Sequence, residues 1–239
     1  MNDLLQQVLD AHGGLERWNS FKTLQATIVT GGELWGLKGV TQDAMPRTMT
    51  VSLHQQSASV TPFGKPEWRT AFTAERIAIE TLEGQIINER ANPRDAFATH
   101  ALETPWDPLH RAYFSGYAMW TYLTTPFLMA MQGCSVREIE PWQEGQERWR
   151  GLRVTFAEGI ASHSRLQDFY FGEDGLLRRH DYHVDVAGGF AAAQYISDYV
   201  EAQGLRFPTR RRAYMRGDDL QPVRDQTMVS IDLSDFRLS

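Results

Sequence analysis

From residue 135 onward the chain is cut into strand-length runs by short glycine-marked turns, and that rhythm restricts the fold more than any other feature. The runs are 135–141, 146–157, 163–171, 176–187, 190–201, 205–216 and 226–233. Between them lie Gly145, Gly159, Gly172-Glu173-Asp174-Gly175, Gly188-Gly189, Gly204 and Gly217-Asp218-Asp219. Strand-length runs at this spacing, joined by short turns, predict an antiparallel meander.

The first half carries the same signal. TLQATIVT (23–30), RTMTVSLH (47–54) and SASVTP (57–62) alternate or are β-branched, with Gly31-Gly32, Gly39 and Gly64 as punctuation. AERIAIET (74–81) and GQIINER (84–90) flank Leu82-Glu83-Gly84 as a hairpin. Helices are expected in three places. Asn2 or Asp3 can cap the first, where Leu4, Leu5, Val8, Leu15 and Trp18 make one apolar stripe that His12-Gly13-Gly14 interrupts. NPRDAFATHA (92–101) opens at Asn92 with Pro93 in first helical position, and WDPLHRAYFSGYAMWTYL (106–123) opens at Asp107 with Pro108 behind it.

With 239 residues, 42% hydrophobic and 23% charged, the chain can bury an ordinary core. No linker, repeat or composition shift divides it, so residues 1–239 are expected to form a single domain. A net charge of −6 argues against a nucleic-acid partner, which would call for a basic footprint. Cys134 stands alone, which excludes an intrachain disulfide and a cysteine zinc site. MNDLLQQVLDAHGG has neither a basic n-region nor an apolar h-region. The chain as written is therefore expected in the cytoplasm, and in the periplasm were a leader removed.

Residues 112–131, AYFSGYAMWTYLTTPFLMAM, hold no charge over 20 positions, about the length that spans a bilayer. Ser115, Gly116, three threonines and Pro126 interrupt the stretch, and its tyrosines and tryptophan sit in its body instead of at its ends. A helix apolar all round is a core helix, so no integral membrane span is expected. Thr125 precedes a proline and should end or kink it. Its ring- and methionine-rich surface can line a cavity inside a curved sheet, and Tyr113, Tyr117, Trp120, Phe127 and Met131 are the candidate ligand contacts.

Three stretches carry a family likeness: HGGLERWNSFKTLQ (12–25), DFYFGEDGLLRRHDY (168–182) and DYVEAQGLRFPTRRRAY (198–214). In order, they resemble the opening helix and first-strand lead, the strand–turn–strand, and the late hairpin of the periplasmic lipoprotein-carrier (LolA/LolB-like) superfamily. The resemblance implies an open antiparallel sheet curled round helices that holds an acyl chain or other apolar guest. It supplies no catalytic residues.

The densest polar stretch is RRHDYHVDV (178–186). Successive strand side chains point to opposite faces. Leu177, Arg179, Asp181, His183 and Asp185 should share one face, and Arg178, His180, Tyr182, Val184 and Val186 the other, with Tyr182, Val184 and Val186 inward. His180 and His183 then cannot chelate one metal. Asp181, His183 and Asp185 are expected on a solvated convex face, charge-paired with a row formed by Arg206, Arg210, Arg212 and Arg216. HSRLQD (163–168) should put His163, Arg165 and Gln167 on one face and Asp168 on the other. No Gly-x-Ser-x-Gly elbow, His-Glu-x-x-His helix, phosphate loop or dinucleotide fingerprint occurs, so no cofactor and no metal are expected.

The sequence thus predicts an α+β fold, a curved antiparallel half-barrel of roughly ten strands wrapped about the N-terminal helix and the 106–131 segment. The expected function is non-enzymatic binding or carriage of an apolar small molecule or acyl chain. Two alternatives stay open: an enzyme with Asp181, His183 or His163 as acid/base in the same cavity, and a structural or interaction module, which would expose a large apolar patch. The oligomeric state is not specified by any of these features.

Overall fold

The computed structural model describes residues 2–41 and 43–239. Its first half is a meander of β1 (Thr23–Gly31), β2 (Arg47–Ser52), β3 (Ser57–Thr61), β4 (Trp68–Thr73), β5 (Arg76–Thr81) and β6 (Ile86–Ala91). Its second half is a meander of β7 (Ser135–Glu144), β8 (Glu147–Thr155), β9 (Leu166–Phe171), β10 (Leu177–Val184), β11 (Phe190–Ala202), β12 (Leu205–Met215) and β13 (Val229–Leu238). The last strand returns to the first, pairing from Leu24 opposite Leu238 to Gly31 opposite Ser230. One 13-stranded antiparallel sheet results, in the order β6-β5-β4-β3-β2-β1-β13-β12-β11-β10-β9-β8-β7. It curls without closing, so β6 and β7 are free edges. The strand number exceeds the ten or so expected, in part because Trp68–Thr73 forms β4.

Short helices pin the ends. Asn2 Oδ1 accepts from the amides of Leu4 and Leu5 and caps α1 (Asp3–Ala11). The chain breaks at Gly13, whose φ of +112° is open to glycine, before α2 (Leu15–Asn19). The stripe of Leu4, Leu5, Val8 and Trp18 is buried as its spacing predicts. Two local expectations change. Residues 92–101 hold only a 3₁₀ turn, Pro93–Phe97. An unexpected short helix, α3 (Leu34–Leu37), is too brief to show a period in sequence.

The long helix is α4 (Pro108–Thr124). Asp107 and His110 form a reciprocal cap: Asp107 Oδ1 accepts from the His110 amide at 2.8 Å, and His110 Nδ1 accepts from the Asp107 amide at 3.1 Å. The helix lies inside the curl against β2, β3, β4 and β5. Gly116 sets that approach, since a Cβ there would sit 2.7 Å from Phe72 Cβ on β4. Among the described residues, no helix is long and apolar enough to cross a membrane.

The convex face departs from expectation. A register shift between Leu177 and Arg179 puts Leu177 opposite Phe171 and Arg179 opposite Tyr170. Leu177 therefore enters the core, and only from Arg179 onward does the outward parity hold. Arg179 and Asp181 do point outward, but they are buried and not solvated. Trp142 lies 3.9 Å over the Arg179 guanidinium, and the Leu220 carbonyl accepts from its Nη2. Asp181 accepts from Arg179 at 2.7 Å and from Arg216 at 2.8 Å. Of the expected arginine row, Arg216 thus meets Asp181, whereas Arg210 and Arg212 pair with Asp232. Asp185 pairs with Arg94, and His183 is exposed. Arg165 also faces solvent, away from buried His163 and Gln167, because residues 163–165 precede β9 and keep no strand parity.

Candidate functional site

Because α4 leans on β2–β5, a cavity remains between its other side and the centre of the sheet. The helix contributes Phe114, Ser115, Ala118, Met119 and Tyr122, which recur one helical turn apart on one face. Opposite them stand Ile28 of β1, Met49 of β2, Tyr182 and Val184 of β10, Ala192 of β11 and Ala213 of β12. Leu34 and Trp35 of α3 close one side, and the Trp35 ring meets Phe114 edge-on at 5.9 Å. Small residues, Ala118, Ala192 and Ala213, leave the space. Its free volume is about 40 Å³, room for a few water molecules.

The five residues singled out from the sequence do not line this cavity. Tyr113 packs 5.6 Å from Phe72 on the sheet side of the helix. The Trp120 indole donates to the carbonyls of Ser52, the last residue of β2, and of Gln55 in the turn that follows. Phe127 stacks on Trp18 at 4.3 Å, and with half-buried Met131 it borders a shallow groove beside α2. Tyr117 comes nearest, through its hydroxyl contact with His163. A helix apolar on every side gives no sign of which face meets the open space.

His163 reaches the cavity on an irregular strap between β8 and β9. Gln56 holds the strap from the β2–β3 turn, donating to the Ala161 carbonyl at 2.7 Å and accepting from its amide at 2.8 Å. Arg94 holds it from the 3₁₀ turn, donating to the Ser162 carbonyl at 2.6 Å. The ring is fully engaged: its Nδ1 lies 3.2 Å from Tyr117 Oη and its Nε2 2.6 Å from Tyr122 Oη. Tyr122 Oη continues to Tyr182 Oη at 3.0 Å. One ring nitrogen of a neutral imidazole donates and the other accepts, which suits two hydroxyl partners. Burial, and to a smaller extent the nearby Arg94 charge, push the His163 pKa down to about 3. Burial also raises the Tyr122 and Tyr182 hydroxyls above their ordinary value. At neutral pH this polar end is therefore uncharged and hydrogen-bonded.

Behind it lies a second layer. His180 Nε2 meets Gln167 Oε1 at 2.6 Å, and the His180 ring stacks on Phe169 at 4.1 Å. Arg211 of β12 turns inward, donating to Gln194 Oε1 and to the Tyr122 carbonyl, each at 2.9 Å. His180 and His183 fall on opposite faces, as their spacing predicts. Among the described residues, no group of three His, Cys, Asp or Glu is placed to hold a metal ion. Tyr122, Gln194 and Arg211 were not distinguished by sequence. The available signal was parity, since Gln194 alternates with Ala192, and Arg211 with Ala213, on inward positions.

An open antiparallel sheet curled over one long helix is the LolA-like fold. Three solved structures share it over nearly the whole chain. A LolA superfamily protein from Nitrosomonas europaea matches at TM-score 0.53 with 10% identity, over 98% of this chain and 92% of the other. A domain described as an outer membrane lipoprotein-sorting protein, from Vibrio parahaemolyticus, matches at 0.53 with 8% identity, over 99% and 91%. A DUF1329 family protein from Desulfovibrio piger matches at 0.51 with 9% identity, over 100% and 94%. No family model and no curated protein matches the chain in sequence.

Proposed function

We propose that the chain binds and carries an acyl chain or another apolar small molecule, without catalysis, in the cavity between α4 and the sheet. The observation that carries this reading is the cavity's lining, mostly apolar and polar where His163, Tyr122, Tyr182, Ser115 and the Arg47–Thr30 pair meet it. On this reading the free volume of about 40 Å³ belongs to a contracted, unloaded state. Pockets that bury a drug-sized ligand run to roughly 300–1,000 Å³. Loading must therefore part the walls. Met49, Met119 and Met228 supply adaptable wall side chains, because an unbranched thioether repacks at little cost. Tyr113, Tyr117, Trp120, Phe127 and Met131 would meet the guest only as α4 lifts; in the contracted state they seat the helix. By analogy with the lipoprotein-sorting domain, the chain would work in the cell envelope as a single-domain carrier.

Organic extraction and native mass spectrometry of the purified chain test the proposal, together with displacement of a fluorescent fatty acid. A co-purified apolar compound, or saturable displacement, is the expected result. Neither being found would end this reading.

One observation favours an enzyme instead, since His163 lines the cavity with a strongly shifted pKa. The direction of the shift speaks against it. A base with a pKa of about 3, both of whose nitrogens are bonded, takes up no proton at neutral pH.

A further inference from the structure

Among the described residues four arginines are buried: Arg47, Arg111, Arg179 and Arg211. Three of them lie beside a carboxylate, Arg47 and Arg111 near Asp43 and Arg179 on Asp181. Arg211 is 1% exposed, and among the described residues no carboxylate pairs with it. Its acceptors, Gln194 Oε1 and the Tyr122 carbonyl, are neutral, and its Nε has no partner. Gln194 is fully buried; its oxygen is committed to Arg211, and its Nε2 faces the Tyr122 hydroxyl without reaching normal hydrogen-bond geometry. The guanidinium lies 4.8 Å from the Tyr122 ring, a contact that eases the charge without neutralising it. The other titratable groups facing it are the hydroxyls of Tyr122, Tyr182 and Tyr199 and the rings of His12 and His180, none of them anionic at neutral pH. An uncompensated buried cation is costly to keep, and folded chains rarely keep one that nothing answers.

The position of this cation supplies the answer. Tyr122 and Tyr182 both line the cavity, their hydroxyls bond each other, and the Gln194 side chain faces the Tyr122 hydroxyl. The two unpartnered donors, on Arg211 and Gln194, thus stand in the layer directly behind the two hydroxyls that line this end of the cavity. We propose that this end is an anion subsite for the carboxylate of a long-chain carboxylic acid, held head-inward by Gln194, Tyr122 and Tyr182 with Arg211 supplying the countercharge. The acyl chain then runs along Met119, Met49 and Ile28. This inference rests on the lipid-binding reading above and specifies its ligand class. No bond is made or broken; an ionised carboxylate replaces the Tyr122–Tyr182 contact.

The experiment compares palmitate with hexadecanol, which has the same chain length and no charge, as competitors of a fluorescent fatty acid on the full chain. Palmitate should bind at least about tenfold more tightly, the scale of a charge-assisted hydrogen bond. Arg211→Met and Gln194→Leu should each erase most of that preference, weakening palmitate far more than hexadecanol. Without ligand, Arg211→Met should melt close to the parent, since relief of a buried charge that no carboxylate balances offsets the bonds lost to Gln194 and the Tyr122 carbonyl, and that guards against a folding artefact. Equal binding of the two probes by the parent, or a palmitate preference that survives both substitutions, overturns the subsite and leaves lipid binding standing. Saturable binding of neither probe overturns both.

Discussion

The His163 ring lies flat on the Tyr182 ring, with centroids 4.2 Å apart and planes 7° from parallel. One residue comes from an irregular strap and the other from β10, so the stack fixes the strap against the sheet. Tyr122 then locks the pair from the helix side through hydroxyl bonds to both. Helix, strap and sheet thus meet in a single polar knot at the end of an apolar cavity.

Tyr122→Phe should loosen that knot more than Tyr117→Phe does. The first removes the 2.6 Å bond to His163 Nε2 and the bond to Tyr182, leaving two buried polar groups short of a partner. A cost of about 1–3 kcal/mol is expected. The second removes one 3.2 Å bond, for about 1 kcal/mol. Urea unfolding of the two variants measures the difference, and equal midpoints would refute the ranking.

Ala118→Leu probes the cavity itself. Ala118 is buried on the cavity face of α4, so a leucine there grows into free volume instead of into the sheet. Overpacking a filled core costs about 1–3 kcal/mol. Here the loss of stability should stay at or below about 1 kcal/mol, the low end of that range. Displacement of a fluorescent fatty acid should weaken about tenfold, or 1.4 kcal/mol. Unchanged affinity would move the binding site elsewhere.

What the sequence disclosed was local. The Gly13-Gly14 break, the Asp107-Pro108 helix start and the glycine turns each act through the backbone of a few residues, and all appear where their chemistry demands. What it hid depends on distant parts. The register shift at Leu177–Arg179 reverses strand parity, and counting by twos cannot see it. The burial of Arg179 and Asp181 comes from Trp142 and the loop at Leu220, tens of residues away. Which side of α4 faces the cavity is decided by Gly116 against Phe72, a contact between helix and sheet. The inner row of Ala192, Gln194, Arg211 and Ala213 follows simple alternation, yet its meaning appears only once Tyr122 lies over it.

Asp181→Asn should be among the most destabilising changes on the convex face. It leaves Arg179, whose side chain is wholly buried, and partly covered Arg216 without their shared carboxylate. Breaking a buried pair from one side typically costs 3–5 kcal/mol. Glu89→Gln removes the partner of Arg76 at an exposed edge and should cost no more than about 1 kcal/mol. Thermal melts of the two variants at one pH make the comparison, and similar losses would mean that the convex pair is not shielded from solvent.

Stability should fall as the solution is made mildly acidic. Burial lowers the pKa of His12 to about 4 and that of His163 to about 3, and it lowers His180 well below its ordinary value. In the unfolded chain these rings take up protons below about pH 6.5. In the folded chain they stay neutral until far lower, so protons favour unfolding. The contribution of each ring is fully present above pH 6.5 and is lost as pH falls, down to about 4 for His12 and about 3 for His163. Each ring removes roughly 1.4 kcal/mol per pH unit across its own window. The urea midpoint should therefore drop between pH 7 and pH 5, and His163→Gln should make that drop shallower by one proton's worth. A midpoint that is flat over this range, or a slope that His163→Gln leaves unaltered, would show that the ring is not held neutral in the fold.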